Sequence, residues 1–349
     1  MSQRVAEASA DVRMRIPEQL RCIPHGQPMQ SAQNIAIENA ESLDCNDGCR
    51  IPIINGIPRF VGEKSYADAF GMQWNHFRQT QLDSYTHTTI SRDRLTRCLG
   101  GSLETVRDKD VLEVGCGAGR FTEILLAAGA RVFACDLSSA VEANYRNCGS
   151  SPHYFVCQAD VRQLPASEHS FDVVVCLGVI QHTPSPEETI ATLARYVRPG
   201  GMLVIDHYTH GYPANFLQRN IRRALISLPP RLAKPLALAL ARVLLPAHRM
   251  TWTNARGVRR VRAPLKRHSP LIDYHDAYPQ LGDQLLSQWS ILDTHDSLTD
   301  YYKHLRTADE IEQTLKSCGL VNVEVAYAGN GVEARARMPA TEKQNTMSV

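Results

Sequence analysis

From Asp110 onward, apolar runs alternate with glycine-rich turns and stretches of helical spacing: VLEVG, FTEILLAAG, RVFACD, SSAVEANYRN, HYFVCQAD, FDVVVCLG, PEETIATLARYV and GMLVIDHY. Continuous apolar runs separated by helices predict a parallel sheet buried on both faces. Near the end, ADEIEQTLKSCG has helical spacing with Gly319 as its C-cap, and VNVEVAY and GVEARAR flank a tight GN turn. That arrangement predicts a helix followed by two antiparallel strands.

Other regions read differently. Residues 1–62 have little periodicity until IPIINGIPRFV, which alternates turns and apolar positions like a small β unit. Residues 63–104 are expected to be helical. ANFLQRNIRRALISL puts Leu217, Ile221, Ala224, Leu225 and Leu228 on one predicted helical face, with Arg219, Arg222 and Arg223 elsewhere, and RLAKPLALALARVLLP is apolar almost all round. Regular structure is expected to resume near Tyr301. The organisation that follows is a ribbon-like segment (1–62), a helical cap (63–104) and a main domain (105–349) interrupted by a basic helical insert (211–290).

Composition adds two constraints. The chain of 349 residues is 43% hydrophobic and 21% charged, an ordinary globular balance. Its net charge of +2 conceals an asymmetry: residues 211–270 hold thirteen Lys and Arg and no Asp or Glu, leaving the remainder at −11. Three roles suit this stretch: a lid with solvated arginines, a surface for anionic lipid, or a site for an acidic or phosphate-bearing acceptor. Nucleic acid is disfavoured, because aromatic residues hardly interleave the basic run. The ten cysteines are scattered, several inside apolar runs, unlike a disulfide scaffold. The first twenty residues lack the apolar stretch of a signal peptide, so a cytoplasmic protein, or one peripheral at a membrane, is expected.

Gly115, Gly117 and Gly119 follow the first predicted strand and open a helix, where the backbone must turn sharply and approach a ligand. Such a loop serves dinucleotides as well as other adenosyl cofactors. Here, however, Arg120 stands where G-x-G-x-x-G requires its last glycine. Asp136 ends the next strand, placed to accept hydrogen bonds from ribose hydroxyls, and Asp160 ends the one after, where it could accept the adenine amino proton while Val161 packs on the ring.

With FDVVVCLGVIQHT and YVRPGGMLVID, these residues resemble the class I S-adenosylmethionine-dependent methyltransferase family, in its small-molecule branch. The resemblance implies an α/β, Rossmann-like doubly wound sheet of seven strands, mostly parallel with an antiparallel strand from the C-terminal hairpin. It implies that Glu113, Gly115, Cys116, Gly117 and Gly119 surround the methionine part of S-adenosyl-L-methionine, Asp136 and Leu137 the ribose, and Asp160 and Val161 the adenine. Leu177 and Gly178 would line the sulfonium side. It also suggests that the helical segment carrying Trp74, Phe77 and Tyr85 caps the cofactor pocket.

The sulfonium already makes the methyl group electrophilic, so the protein mainly has to align the reactants, exclude water and, where needed, remove a proton. His182 and His207 are the candidate bases, both at the carboxyl edge of the predicted sheet. His182 could equally be a hydrogen-bonded histidine that shapes the pocket, and Asp206, His207 and Tyr208 could be loop anchors. Cys22-x-x-His25 and Cys45-x-x-x-Cys49 nearly match a four-ligand zinc ribbon, although the second pair is one residue too long. The region resembles the ribbon-like leader of some bacterial methyltransferases. The expected activity is methyl transfer to a small-molecule acceptor from tailoring or lipid metabolism. The alternatives are methylation of RNA or protein, and S-adenosylmethionine binding without turnover.

Overall fold

The computed structural model describes residues 14–31, 37–62, 68–210, 215–253, 255–329 and 331–340. The first thirteen residues, the start of the helical cap (63–67), the start of the basic insert (211–214) and the asparagine of the GN turn lie outside the described residues.

The leader forms a small antiparallel sheet of four short strands in chain order: β1 (Gln30–Ser31), β2 (Ser42–Asp44), β3 (Arg50–Ile54) and β4 (Ile57–Pro58). Helices α1 (Asp68–His76), α2 (Asp83–Thr86) and α3 (Ile90–Cys98) follow. The main sheet then begins with β5 (Asp110–Val114), α4 (Thr122–Ala127), β6 (Arg131–Asp136), α5 (Val141–Cys148), β7 (Tyr154–Gln158), β8 (Phe171–Cys176), α6 (Pro186–Tyr196) and β9 (Val197–Tyr208). After an insert of four helices, α7 (Phe216–Ile226), α8 (Pro230–Arg249), α9 (Arg256–His268) and α10 (Gly282–Thr299), it closes with α11 (Ala308–Ser317), β10 (Val321–Ala328) and β11 (Gly331–Arg337).

The order of the seven strands is β10-β11-β9-β8-β5-β6-β7. Strands β5 to β9 pair in parallel, and β11 runs antiparallel between β9 and β10, as the sequence pattern predicts. Strand β8 is buried along its whole length, which is why FDVVVC is almost uninterrupted hydrophobe. Strand order reverses between β5 and β8, and in open α/β sheets ligands bind beyond the carboxyl ends of the strands at such a switch point.

The leader continues the sheet at its β7 edge. Phe60 N–H donates to Gln158 O at 2.8 Å, and the buried Arg59 reaches Gln158 Oε1 at 3.0 Å and Glu142 at 2.9 Å. An edge strand that would otherwise present unpaired backbone groups is thereby covered.

The insert differs from its expected pattern in two ways. Helix α7 buries Gln218 and Leu225, whereas Leu217, Ala224 and Leu228 are exposed, so its buried face is rotated from the one read in sequence. Gln218 turns inward because its amide reaches Ser297 Oγ at 2.8 Å. Regular structure also resumes before Tyr301, with the eighteen-residue α10. Among the described residues no helix is long and apolar enough to cross a membrane.

Candidate active site

A cavity of about 430 Å³ opens at the switch point. Its floor is the turn after β5. Gly115, Gly117 and Gly119 have φ of +75°, +49° and +99°, the left-handed region that glycine enters without strain. Gly115 and Cys116 both donate backbone N–H groups to Cys135 O, at 2.7 and 3.0 Å, which folds the loop back over β6.

Gly115, Cys116, Gly117, Asp136, Leu137, Val161, Leu177, Gly178 and His182 all line this cavity. The Asp136 carboxylate accepts from Gly117 N–H at 3.0 Å and from Ser138 N–H and Oγ at 2.8 and 2.7 Å. Burial nevertheless raises its pKa above the ordinary value, a cost that a ligand hydroxyl donating to it would offset.

Four expected site residues do not line the cavity. Glu113 lies beneath the loop, 3% exposed, and accepts from Thr122 Oγ1 at 2.6 Å; burial pushes its pKa up to about 8. Gly119 faces α5, where a Cβ would come within 2.9 Å of Cys148 Sγ, so it is a packing glycine. Asp160 is bound by the nearby Arg162, at 2.6 Å between Oδ2 and Nη2. His207 is buried in β9, its Nδ1 at 2.7 Å from Tyr208 O.

His182 sits on the cavity wall in the short 3-10 turn Ile180–His182, with Nδ1 3.1 Å from Tyr302 O and 3.5 Å from Asp300 Oδ2. Burial lowers its pKa, which favours the neutral ring. Facing a carbonyl, Nδ1 must carry the proton, which leaves the lone pair on Nε2.

The opposite wall and roof come from the helical segment expected to cap the pocket and from α10, whose role the sequence did not reveal. Trp74 of α1 lies over the loop, its ring 3.7 Å from where a Gly117 Cβ would be. Phe77 is partly buried and Tyr85 exposed, and neither lines the cavity. From α10, Trp289, Asp293 and Asp296 face inward on one side of the helix. Trp289 Nε1 donates to Thr80 O at 2.6 Å and Gln81 Nε2 to Asp293 Oδ1 at 3.3 Å, which fastens α10 to the segment before α2.

Between these walls stands Arg120. Its guanidinium lies 5.3 Å from the Phe121 ring centre and 5.4 Å from that of Trp289, and it donates to Ser91 Oγ and Gln81 Oε1 at 2.8 and 3.0 Å. Burial, with Arg94 nearby, lowers its pKa to about 10. In sequence this residue signals only the departure from a dinucleotide loop. Asp293 and Asp296 are raised by burial, Asp296 well above the carboxylate range, and Asp296 Oδ1 is buried without a hydrogen-bond partner.

In the leader, Cys22, His25, Cys45 and Cys49 bring their ligand atoms within 4.8 Å of one another. His25 Nδ1 is 3.7, 3.6 and 3.4 Å from the sulfurs of Cys22, Cys45 and Cys49. Zn–S and Zn–N bonds of about 2.3 and 2.0–2.1 Å at tetrahedral angles put N and S about 3.5 Å apart, so the donor set fits that ion. The extra residue in the second pair is taken up by a turn at Gly48, with φ of +85°.

A switch-point cavity floored by this glycine loop, with a carboxylate at the end of β6 and an antiparallel closing strand, is the arrangement expected from the resemblance to class I S-adenosylmethionine-dependent methyltransferases. The family described as a methyltransferase domain matches residues 112–205. A ubiquinone biosynthesis O-methyltransferase of Coxiella burnetii is 31% identical over 113 residues, which cover 32% of this chain and 48% of the relative. A malonyl-[acyl-carrier protein] O-methyltransferase of Enterobacter lignolyticus is 32% identical over 143 residues, covering 41% and 53%. The chain thus spans about half the length of the curated relatives it matches. Among solved structures, a putative S-adenosyl-L-methionine-dependent methyltransferase of Methanococcus maripaludis is similar at 12% identity and a TM-score of 0.44, over 81% of this chain and 98% of that one.

Proposed function

We propose that this protein transfers the methyl group of S-adenosyl-L-methionine to a small-molecule acceptor. The carrying observation is a single cavity that joins the glycine loop and Asp136 to an inner chamber under Arg120 and α10. A roofed chamber of this size suits a small molecule rather than an RNA or protein surface. Gly115 and Gly117 hold the methionine part, Asp136 the ribose, and Leu137 and Val161 flank the adenosyl group. The helical cap and α10 exclude water, and His182 Nε2 takes a proton from an acceptor hydroxyl or amine. Matches to O-methyltransferases of ubiquinone and malonyl-carrier-protein metabolism favour an oxygen acceptor from tailoring or lipid metabolism.

Thermal shifts with S-adenosylhomocysteine and NAD, followed by acceptor screening with labelled methyl donor, test this reading. Stabilisation by S-adenosylhomocysteine and label in an extracted small molecule are expected; stabilisation by NAD alone would overturn it. We further propose that Cys22, His25, Cys45 and Cys49 hold a structural zinc ion, which would tie the ends of the leader together without entering the chemistry.

A further inference from the structure

Helix α8 has two apolar faces. One, through Ala233, Ala237, Ala241 and Leu245, is buried against neighbouring insert helices, α10 among them. The other points away from the protein: Leu232, Leu236, Ala239, Val243, Pro246 and Met250 recur at three- and four-residue steps from end to end, all exposed, with Val243 at 76% and Met250 at 82%. Single exposed hydrophobes are ordinary, but a continuous row along a helix of roughly 30 Å is not. Arg231 and Arg242 are exposed beside the row, and Arg249 at its end lies 3.9 Å from Asp283.

The charge around this row decides what can cover it. Residues 211–270 contain no acidic side chain, so a second copy meeting it face to face would bring like charges together. The row carries no aromatic ring on which a nucleic-acid base could stack. Aliphatic side chains flanked by arginines are instead complementary to a surface that is apolar below and anionic above. Arginines and two prolines within α8 are unsuited to crossing a bilayer but compatible with lying along one.

We infer that the outer face of α8 docks the protein on an anionic lipid bilayer, the aliphatic row entering the headgroup boundary while Arg231 and Arg242 meet lipid phosphates. Because α10 packs on the inner side of α8 and presents Trp289 and Asp296 to the cavity, docking brings the inner chamber within one helix of the lipid. The docking surface is independent of the proposed methyl transfer.

The test is co-sedimentation of the full chain with phosphatidylcholine vesicles, with and without about 30% phosphatidylglycerol. The wild type should pellet only with the anionic vesicles, and less as salt rises. Leu236→Asp/Val243→Asp and Arg231→Glu/Arg242→Glu should each weaken binding about tenfold or more, with an unchanged thermal midpoint because all four side chains are exposed. A wild type that stays in the supernatant, or a Leu236→Asp/Val243→Asp variant that pellets as the wild type does, would overturn the proposal. So would a wild-type dimer in sedimentation velocity that the apolar double variant dissociates, since the row would then be a contact between copies.

Discussion

At Gly115 the demand for glycine is both conformational and steric. With φ at +75°, an added methyl group would meet Val179 Cγ2 at 2.1 Å, and Val179 leads into the turn that carries His182. Gly115→Ala should therefore cost roughly 1–3 kcal/mol of stability and displace the loop, so that the S-adenosylhomocysteine thermal shift is largely lost. A variant keeping both its midpoint and that shift would refute the account. Glu113 beneath the loop makes a different prediction. Its carboxyl binds a proton more tightly folded than unfolded, with a pKa of about 8 against an ordinary 4.5, so stability should fall as pH rises from about 4.5 to about 8. Glu113→Gln can still accept from Thr122 and removes the titration. Its unfolding free energy should exceed that of the wild type at pH 8 and above by an amount on the order of a few kcal/mol, seen as a higher thermal midpoint, and the gain should shrink toward pH 5. Equal midpoints across that range would mean Glu113 is not buried as described. Both residues were visible in sequence as part of one strand and turn, but not which of them lines the cavity: spacing reports the elements, whereas the choice between cavity and packing depends on how the neighbouring elements lie. Asp160 shows the same limit, since its carboxylate is engaged by Arg162, two residues along.

The strands were legible because burial on both faces leaves a run such as FDVVVC no alternative environment. Helix α10 was not, and the reason is physical: Asp293 and Asp296 point into a polar cavity and the buried His295 bonds Gln73 at 2.7 Å, so the usual apolar stripe is absent. Helix α7 misled for a related reason, with Gln218 buried by a partner 79 residues away. Tertiary partners likewise determine how α3 sits on the sheet. Arg94 pairs with the buried Asp206, whose other oxygen accepts from Gly178 N–H at 2.6 Å, and Arg97 makes a two-pronged pair with Glu333, at 2.8 and 2.7 Å. The Asp206 carboxylate holds the Arg94 guanidinium charged against the burial that opposes it. Asp206→Asn leaves that cation without its counter-charge and should destabilise the protein by about 3–5 kcal/mol in chemical denaturation. Asp206→Asn combined with Arg94→Met should recover part of the loss. A single variant within 1 kcal/mol or so of the wild type would show that the pair does not hold α3.

At the scale of the whole molecule, the leader and the main sheet share one buried cluster, to which Leu20, Leu43, Cys45 and Ile57 contribute from the leader. Strand β4 leads into Arg59 and Phe60, which bind Gln158 and Glu142 at the edge of the sheet, and Leu20 bridges Ala166. These contacts depend on a leader whose strands are only two to five residues long, too short to persist without a further constraint. The ring of Cys22, His25, Cys45 and Cys49 is placed to supply it, joining the turn at Gly26 to the turn at Gly48 across the small sheet. If zinc occupies this ring, purified protein should contain about one zinc per chain, and Cys45→Ser should lower that content together with the thermal midpoint. Chelation should lower the thermal midpoint of the whole protein, because Cys22 and Cys45 belong to the same buried cluster as β5, β6 and β8, so that losing the ion loosens packing shared by leader and sheet. Less than about 0.2 zinc per chain in protein grown with added zinc would sink the metal reading. A content near one, with a midpoint that chelation does not move, would instead mean that the ion is bound but that packing against β7 holds the leader in place.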